Sequence, residues 1–166
     1  MTDSPQEPTR SELDALQAIL DRSTATASPA LAESVAFPSR QMTAAELVAF
    51  WRSARLVAMT TVGALGQPHT APVHAELRGS RLRVSVYSNA VRRRDLAANP
   101  RVAFTTWHEG AVAILYGRAR EVPDSEREAR PGQSGGPRRV VTIEVALTRA
   151  YAMRAPRRDE GCADRR

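Results

Sequence analysis

The sequence contains no lysine, so all 24 of its basic residues are arginines. Against 18 acidic residues they give a formal net charge of +6 at pH 7. A charge of this sign normally suggests an anionic partner. Because the chain is also rich in alanine, the arginine excess can reflect coding bias, and only the placement of the arginines is informative.

Cysteines, long apolar runs and clustered aromatic residues are scarce as well. Cys162 is the only cysteine, which excludes a disulfide within the chain and a cysteine metal site. No apolar run approaches the roughly 20 residues that span a bilayer, and MTDSPQEPTR at the start lacks the order of a signal peptide. Aromatic residues make up 5% of the chain and are scattered, which argues against stacking on nucleic acid bases. We therefore expect a cytoplasmic protein with neither a membrane nor a nucleic acid as partner.

Two helices are predicted in the first third of the chain. The first is expected to begin at Ser11, with Asp14 three residues on in a capping-box arrangement. Residues 21–30 are predicted from their composition to be a linker. The second helix is marked by a capping pair, Thr43 and Glu46.

From residue 55 the pattern changes to β-strands. Six segments rich in β-branched residues are separated by turn sequences, and one short helical segment lies between the third and the fourth. The predicted strands are RLVAMTTV, HTAPVHAEL, RLRVSVY, VAFTTW, AVAILYGRAREV and VVTIEVAL. This inventory predicts a mainly β (α+β) fold, a compact antiparallel barrel. We expect an N-terminal extension (1–40), a barrel domain (41–153) with a flexible loop (123–139), and a disordered charged tail (154–166).

The helical segment between the third and fourth strands carries three consecutive arginines. Ser88 or Asn89 can cap this helix, and its first N–H groups together with its positive dipole end would attract an anion. Arg92, Arg93 and Arg94 point about 100° apart, so they cannot all reach one phosphate. One or two of them can bind it with a guanidinium fork. The alternative is an exposed basic helix face.

From Phe50 to Val122 the sequence resembles the flavin-binding split-barrel family that includes pyridoxamine 5′-phosphate oxidase and the coenzyme F-420 dependent reductases. The resemblance lies in the order and spacing of MTTVGALGQPHTAPV, RLRVSVYSNAVRRRDLAANPRVAFTTW and VAILYGRAREV. It implies a six-stranded antiparallel split β-barrel. It also implies a homodimer that binds FMN or F-420 between its two chains and acts on a small-molecule substrate.

The resemblance implies a role for the arginine helix. Arg92 matches the basic residue that binds the flavin phosphate, and Val91 stands where a further arginine is common. Arg93 is expected to compensate for Val91 and to help hold the phosphate, whereas Arg94 is expected to be solvated.

Two further segments match cofactor-binding strands of the family. Ser85 and Val86 match a strand end that lines the phosphate and the ribityl chain. Val86 replaces the usual threonine, and Ser88 is close enough to supply the missing hydroxyl. The strand whose backbone faces the flavin ring is matched by Ala71, Pro72, Val73, His74, Ala75 and Glu76.

The histidines and large aromatic residues allow more than one interpretation. His69 and His74 are an odd number of residues apart, so on a regular strand they face opposite sides and no metal site is expected between them. His74 either touches a cofactor or is an ordinary half-buried histidine, and a single axial haem ligand stays open. Tyr87 and Trp107 can stack on a flat ring, but Trp107 is favoured as a dimer-interface residue.

The family comparison also indicates which reaction is not expected. This chain resembles pyridoxamine phosphate oxidases but differs from them at three positions. Ala71 stands in place of an arginine, Glu76 in place of a lysine and Val112 in place of a glutamine. We therefore expect an FMN- or F-420-dependent oxidoreductase that does not act on pyridoxamine phosphate and transfers a hydride to or from another small organic substrate. No catalytic side chain is assigned, because the cofactor carries the redox chemistry. The alternative is a non-catalytic flavin- or haem-binding module, a store or a sensor.

Overall fold

The computed structural model describes residues 7–34, 39–129 and 138–155. Cys162, residues 130–137 of the predicted loop and most of the predicted tail lie outside them. The helices within the described ranges are α1 (Arg10–Ala25), α2 (Pro29–Ser34), α3 (Ala44–Ser53) and α4 (Val91–Ala98). The strands are β1 (Val57–Val62), β2 (Pro68–Val73), β3 (Ala75–Arg78), β4 (Arg81–Tyr87), β5 (Arg101–His108), β6 (Ala111–Glu121), β7 (Arg127–Glu128) and β8 (Arg139–Met153).

Two of the helices begin with a capping box. In α3 the Thr43 hydroxyl accepts from the backbone of Glu46, and the Glu46 carboxylate accepts from the backbone of Thr43. This confirms the predicted cap. The predicted cap of α1 at Ser11 is wrong, because Thr9 is the cap and Glu12 is its partner. A glutamate three residues after the cap is long enough to reach back to the cap N–H.

The segment predicted as a linker, 21–30, is partly helical. α1 runs through Ala25, and α2 begins at Pro29. The Ser23 hydroxyl donates to the Ile19 carbonyl and accepts from the Ala150 N–H of β8, at 2.6 and 3.0 Å. Ser23 therefore packs against β8, although the composition of 21–30 predicts a linker.

The described strands form one antiparallel sheet in the order β2-β1-β5-β6-β8-β4-β3, with β7 paired to β8. The sheet curls into a half-barrel, which confirms the predicted split-barrel fold. Its two edge strands, β2 and β3, are consecutive in the chain, with only His74 between them. HTAPVHAEL therefore forms two strands rather than the one predicted, because β2 pairs with β1 and β3 pairs with β4. We call the break around His74 the seam.

An apolar core fills the barrel and includes residues of α1 and α3. Leu82, Val84 and Val86 of β4 face it in alternation, as period-2 burial requires. Leu16 and Leu20 of α1 are fully buried in the same core. The Trp51 indole N–H of α3 donates to the Ala75 carbonyl at 2.8 Å, which ties α3 to the seam. In the described part of the chain, no helix has the length and apolar character needed to cross a membrane.

Candidate cofactor site

A cavity of about 880 Å³ opens at the seam. This volume is within the usual range of small-molecule sites, about 300–1,000 Å³. The outer face of β4 forms one wall, because Arg83, Ser85 and Tyr87 alternate with its core residues. The remaining lining residues are Trp51, Arg52, Ala54, Arg55, Leu56 and Val57 from the end of α3 to the start of β1, Pro72 to Leu77 at the seam, Val84 and Val86 of β4, Arg92, and Arg127, Ala129, Val140 and Thr142.

The lining of the cavity is strongly basic. Among the described residues, its arginines are Arg52, Arg55, Arg83, Arg92 and Arg127, and its one carboxylate is that of Glu76. Glu76 accepts a hydrogen bond from Arg78 at 2.7 Å. An excess of guanidinium groups in a concave surface attracts anions and is suited to phosphate. The cavity therefore fits a ligand that carries negative charge.

The three consecutive arginines have different surroundings. Arg92 lines the cavity. Arg93 does not, because its guanidinium forms two hydrogen bonds of 2.8 Å with the carboxylate of Glu121 on β6. This hydrogen bonding holds the pKa of the Glu121 carboxyl below its ordinary value. Arg94 is exposed. Of the three arginines, Arg92 is therefore the one that lines the cavity.

The predicted caps of the arginine helix are wrong. The N-cap of α4 is Ala90, and no side chain bonds to the first turn. The Ser88 hydroxyl instead donates to the carbonyl of Arg139 on β8, at 3.0 Å. Ser88 is therefore held by the neighbouring strand and does not line the cavity.

The structure brings together only some of the predicted site residues. Pro72, Val73, His74, Ser85, Val86 and Arg92 line the cavity, whereas Ala71, Ser88, Val91, Arg93 and Trp107 do not. Ser85 presents its side chain to the cavity, while Val86 is buried on the core side of β4. Arg52, Arg55, Arg83 and Arg127 also line it. Their positions follow from contacts between distant segments, so no local motif could have identified them.

A second polar cluster lies next to the helix that carries Arg92. The Asp95 carboxylate accepts from the Thr61 hydroxyl at 2.6 Å and contacts the His69 Nδ1 at 2.8 Å. Burial raises the pKa of the Asp95 carboxyl, but the hydrogen bonds with Thr61 and His69 outweigh it and leave the pKa below its ordinary value. This cluster joins α4 to β1 and β2. It was not predicted, because an acidic residue in a polar helix does not reveal from the sequence which distant residues it contacts.

Comparison with known proteins assigns the chain to a family. A family model described as pyridoxamine 5′-phosphate oxidase matches residues 43–154, more than half of the chain. The chain belongs to the pyridoxamine 5′-phosphate oxidase family. This confirms the resemblance seen in the sequence. No curated protein matches the chain at a significant level.

Solved structures similar to this member of the pyridoxamine 5′-phosphate oxidase family share its fold. A conserved hypothetical protein of Mycobacterium tuberculosis is 18% identical, with a TM-score of 0.59 over 78% of this chain and 94% of the other. An FAD-binding protein of Mesorhizobium loti is 17% identical, with a TM-score of 0.53 over 68% and 95%. The haem storage protein HutZ of Vibrio cholerae is 13% identical, with a TM-score of 0.50 over 66% and 93%.

The positions at which this family member departs from pyridoxamine phosphate oxidases lie in different surroundings. Glu76 lines the cavity, whereas Ala71 and Val112 do not. Val112 lies on β6 in register with Trp107 of β5. Of these three positions, Glu76 alone lines the cavity within one chain.

Proposed function

We propose that this chain is an oxidoreductase that binds FMN or F-420 in the seam cavity and transfers a hydride to or from a small organic substrate other than pyridoxamine 5′-phosphate. The observation that carries the proposal is the position of Arg92 on the wall of a basic cavity formed by the seam and the outer face of β4. Membership of the pyridoxamine 5′-phosphate oxidase family supports it.

The residues of the cavity fit a phosphorylated flavin or deazaflavin. Arg92 would bind the phosphate, and the hydroxyl of Ser85 would donate to it or to the adjoining chain. The backbone of Pro72, Val73 and His74 would face the ring, and its polar groups would tune the ring electronically. When bound, the cofactor supplies the hydride chemistry, and the protein supplies binding and orientation.

A non-catalytic flavin- or haem-binding module, a store or a sensor, is the second candidate. It is favoured by one observation, the exposed imidazole of His74 on the cavity wall. A neutral imidazole is a common haem ligand. The structural likeness to a haem storage protein is a likeness of fold.

The experiment that separates these functions is titration of the purified protein with FMN, F-420 and haem, followed by absorption spectroscopy. We expect saturable binding of FMN or F-420, and re-oxidation of the bound, reduced cofactor by members of a panel of small organic acceptors under anaerobic conditions. Binding of haem alone, with its Soret band abolished in His74→Ala, would overturn the oxidoreductase proposal in favour of the second candidate.

Removal of the proposed phosphate ligand should weaken cofactor binding. Arg92→Ala is expected to cost about 1.5–3 kcal/mol of binding free energy, the usual value of a hydrogen bond to a charged group. Arg94→Ala, an exposed arginine two residues on, is the matched control and should cost little. Equal losses for both variants in a fluorescence titration would show that Arg92 is not the phosphate ligand.

A further inference from the structure

Arg127 reaches the cavity from the connection between β6 and β8. It lies on β7, which pairs with the beginning of β8 so that Arg127 is opposite Val140. This short strand holds the arginine over the outer face of the sheet. Arg127 therefore belongs to the cavity wall although it is far in sequence from β4 and α4.

The guanidinium of Arg127 is bound by two hydroxyl groups. Its Nη2 donates to Ser85 Oγ and its Nη1 donates to Thr142 Oγ1, both at 2.9 Å. Ser85 of β4 and Thr142 of β8 are direct partners in the sheet register. One arginine thus spans two neighbouring strands, and all three side chains are held at one place on the cavity wall.

Among the residues that the structure describes, Arg127 lacks the carboxylate partner that Arg93 and Arg139 have. Arg93 is paired with Glu121, and Arg139 is paired with Glu126 at 3.0 Å. Within the described ranges, Arg127 has no carboxylate at ion-pair distance, and its hydrogen bonds go to neutral oxygens only. Its positive charge is therefore available to an anionic ligand, with which charged hydrogen bonds are strong.

The two hydroxyls have donor capacity left. A hydroxyl has one O–H donor and two acceptor lone pairs. Ser85 and Thr142 use a lone pair each to accept from Arg127, and this leaves the proton of each hydroxyl able to turn toward a ligand. An anion at this place would meet a guanidinium and two O–H donors.

We propose that Arg127, Ser85 and Thr142 form a binding site for a terminal phosphate monoester, so that the cavity selects ligands that end in this group. A monoester presents three free oxygens to these donors, and a diester presents two. The inference rests on the proposed function and narrows it to FMN, whose chain ends in a phosphate monoester. Arg92 supplies a further guanidinium among the residues that line the cavity.

The test compares FMN, its monomethyl ester and riboflavin, which share the ring and the ribityl chain. Wild-type protein should bind FMN more tightly than the diester, and riboflavin most weakly. Arg127→Ala should lose about tenfold or more in FMN affinity, with unchanged riboflavin affinity and unchanged melting temperature. Arg139→Ala is the matched control, because it removes a nearby arginine that does not line the cavity, and it should bind FMN as wild type does.

The outcomes separate this inference from the proposed function. If wild type binds FMN and Arg127→Ala binds it equally well, or loses riboflavin to the same extent, the phosphate site is wrong and the proposed function stands. Equal wild-type affinity for FMN and the methyl ester would overturn the selection of a monoester. If wild type binds neither FMN nor F-420, the proposed function is wrong. Calorimetric titration with inorganic phosphate then tests the site. Weaker phosphate binding in Arg127→Ala but not in Arg139→Ala would support it, and equal phosphate binding by the two variants would overturn it.

Discussion

Asp95 contributes to the site without facing the cavity. Its side chain is 6% exposed and is bound by Thr61 of β1 and His69 of β2. It lies on α4, the helix that carries Arg92. Because a buried carboxylate is stable only when its hydrogen bonds are satisfied, these contacts fix α4 against the β1–β2 hairpin and thereby the position of Arg92.

Substitution of Asp95 should destabilise the fold. Asp95→Asn replaces hydrogen bonds to a charged group by weaker ones, and we expect a loss of about 1–3 kcal/mol in the free energy of unfolding. The measurement is urea denaturation at pH 7. Asp14→Asn is the control, because Asp14 forms an exposed ion pair with Arg10, and such pairs contribute little. Equal stabilities of the two variants would contradict the anchoring role.

The same residue predicts a pH dependence. The pKa of the Asp95 carboxyl is lowered by the hydrogen bonds with Thr61 and His69 against the opposing effect of burial. A carboxyl whose pKa is lower in the folded state stabilises it above the unfolded pKa, about 3.9. This stabilisation is lost as the pH falls through the folded value. The stability gap between wild type and Asp95→Asn should therefore be largest above about pH 5 and shrink toward pH 3; a gap that grows on acidification would contradict the assignment.

At the scale of elements, one acid joins three strands on the outer face of the sheet. Glu144 of β8 accepts from Arg81 and Arg83 of β4 and from Arg120 of β6. Its side chain is 7% exposed because these arginines cover it. The hydrogen bond from Arg120 is the largest cause of a lowered pKa of the Glu144 carboxyl. Glu144 thus offsets the repulsion among arginines that register places side by side.

Neutralisation of Glu144 should weaken this part of the sheet. Glu144→Gln leaves three arginines without a counter-charge, and we expect a loss of about 1–3 kcal/mol in stability. Arg81→Ala is the control, because Glu144 keeps its contacts with Arg83 and Arg120 in this variant, and we expect a smaller loss of stability than in Glu144→Gln. Added salt screens repulsion between exposed charges, so it should narrow the gap between Glu144→Gln and wild type. A gap that is unaffected by salt would contradict this account.

At the scale of the molecule, the outer face of β5 and β6 carries two large exposed aromatic residues, Trp107 and Tyr116. Trp107 is opposite Val112, and Tyr116 is opposite Ala103. Trp107 is 68% exposed and Tyr116 is 40% exposed. Exposed apolar surface of this kind is typical of a protein interface. It agrees with the expectation of a homodimer with Trp107 or the strand 111–116 near the interface.

We predict a stable dimer through this face. Static light scattering should give twice the chain mass at micromolar concentration, and Trp107→Arg should shift the protein to the monomer because it places a charge in the contact. Leu65→Arg is the control. Leu65 is 86% exposed, at the turn between β1 and β2, and its substitution should leave the dimer intact. A monomer that binds cofactor normally would contradict the prediction.

The molecule should not oxidise pyridoxamine 5′-phosphate. A substrate phosphate would meet Glu76 on the cavity wall. The pyridoxamine phosphate oxidases that this chain resembles carry a lysine at this position. Repulsion in place of attraction lowers the stabilisation of the transition state. With added FMN, we expect negligible formation of pyridoxal 5′-phosphate and peroxide, and a small gain in Glu76→Gln. Efficient turnover by the wild type would contradict this prediction.

The sequence by itself determined the features that depend on neighbouring residues. Alternation along β4 predicts which side chains face the core, and the pair Thr43 and Glu46 predicts the beginning of α3. Both patterns depend only on residues a few positions apart, so they can be read without knowledge of the rest of the chain. The order of the strands around the arginine helix, together with the family resemblance, was enough to predict the split barrel and Arg92 as a candidate ligand.

Only the tertiary structure decided which charges face the cavity. Arg92 and Arg93 are both expected from the sequence to hold the phosphate, but Glu121 binds Arg93 from a strand that is distant along the chain. Arg127 lies in a segment predicted to be a flexible loop, and its role depends on the register that places Ser85 beside Thr142. These contacts join segments that are far apart in the sequence, so the local sequence pattern does not predict them. The sequence therefore determined most of the strands and pointed to one arginine, and the folded sheet determined the charge and lining of the cavity.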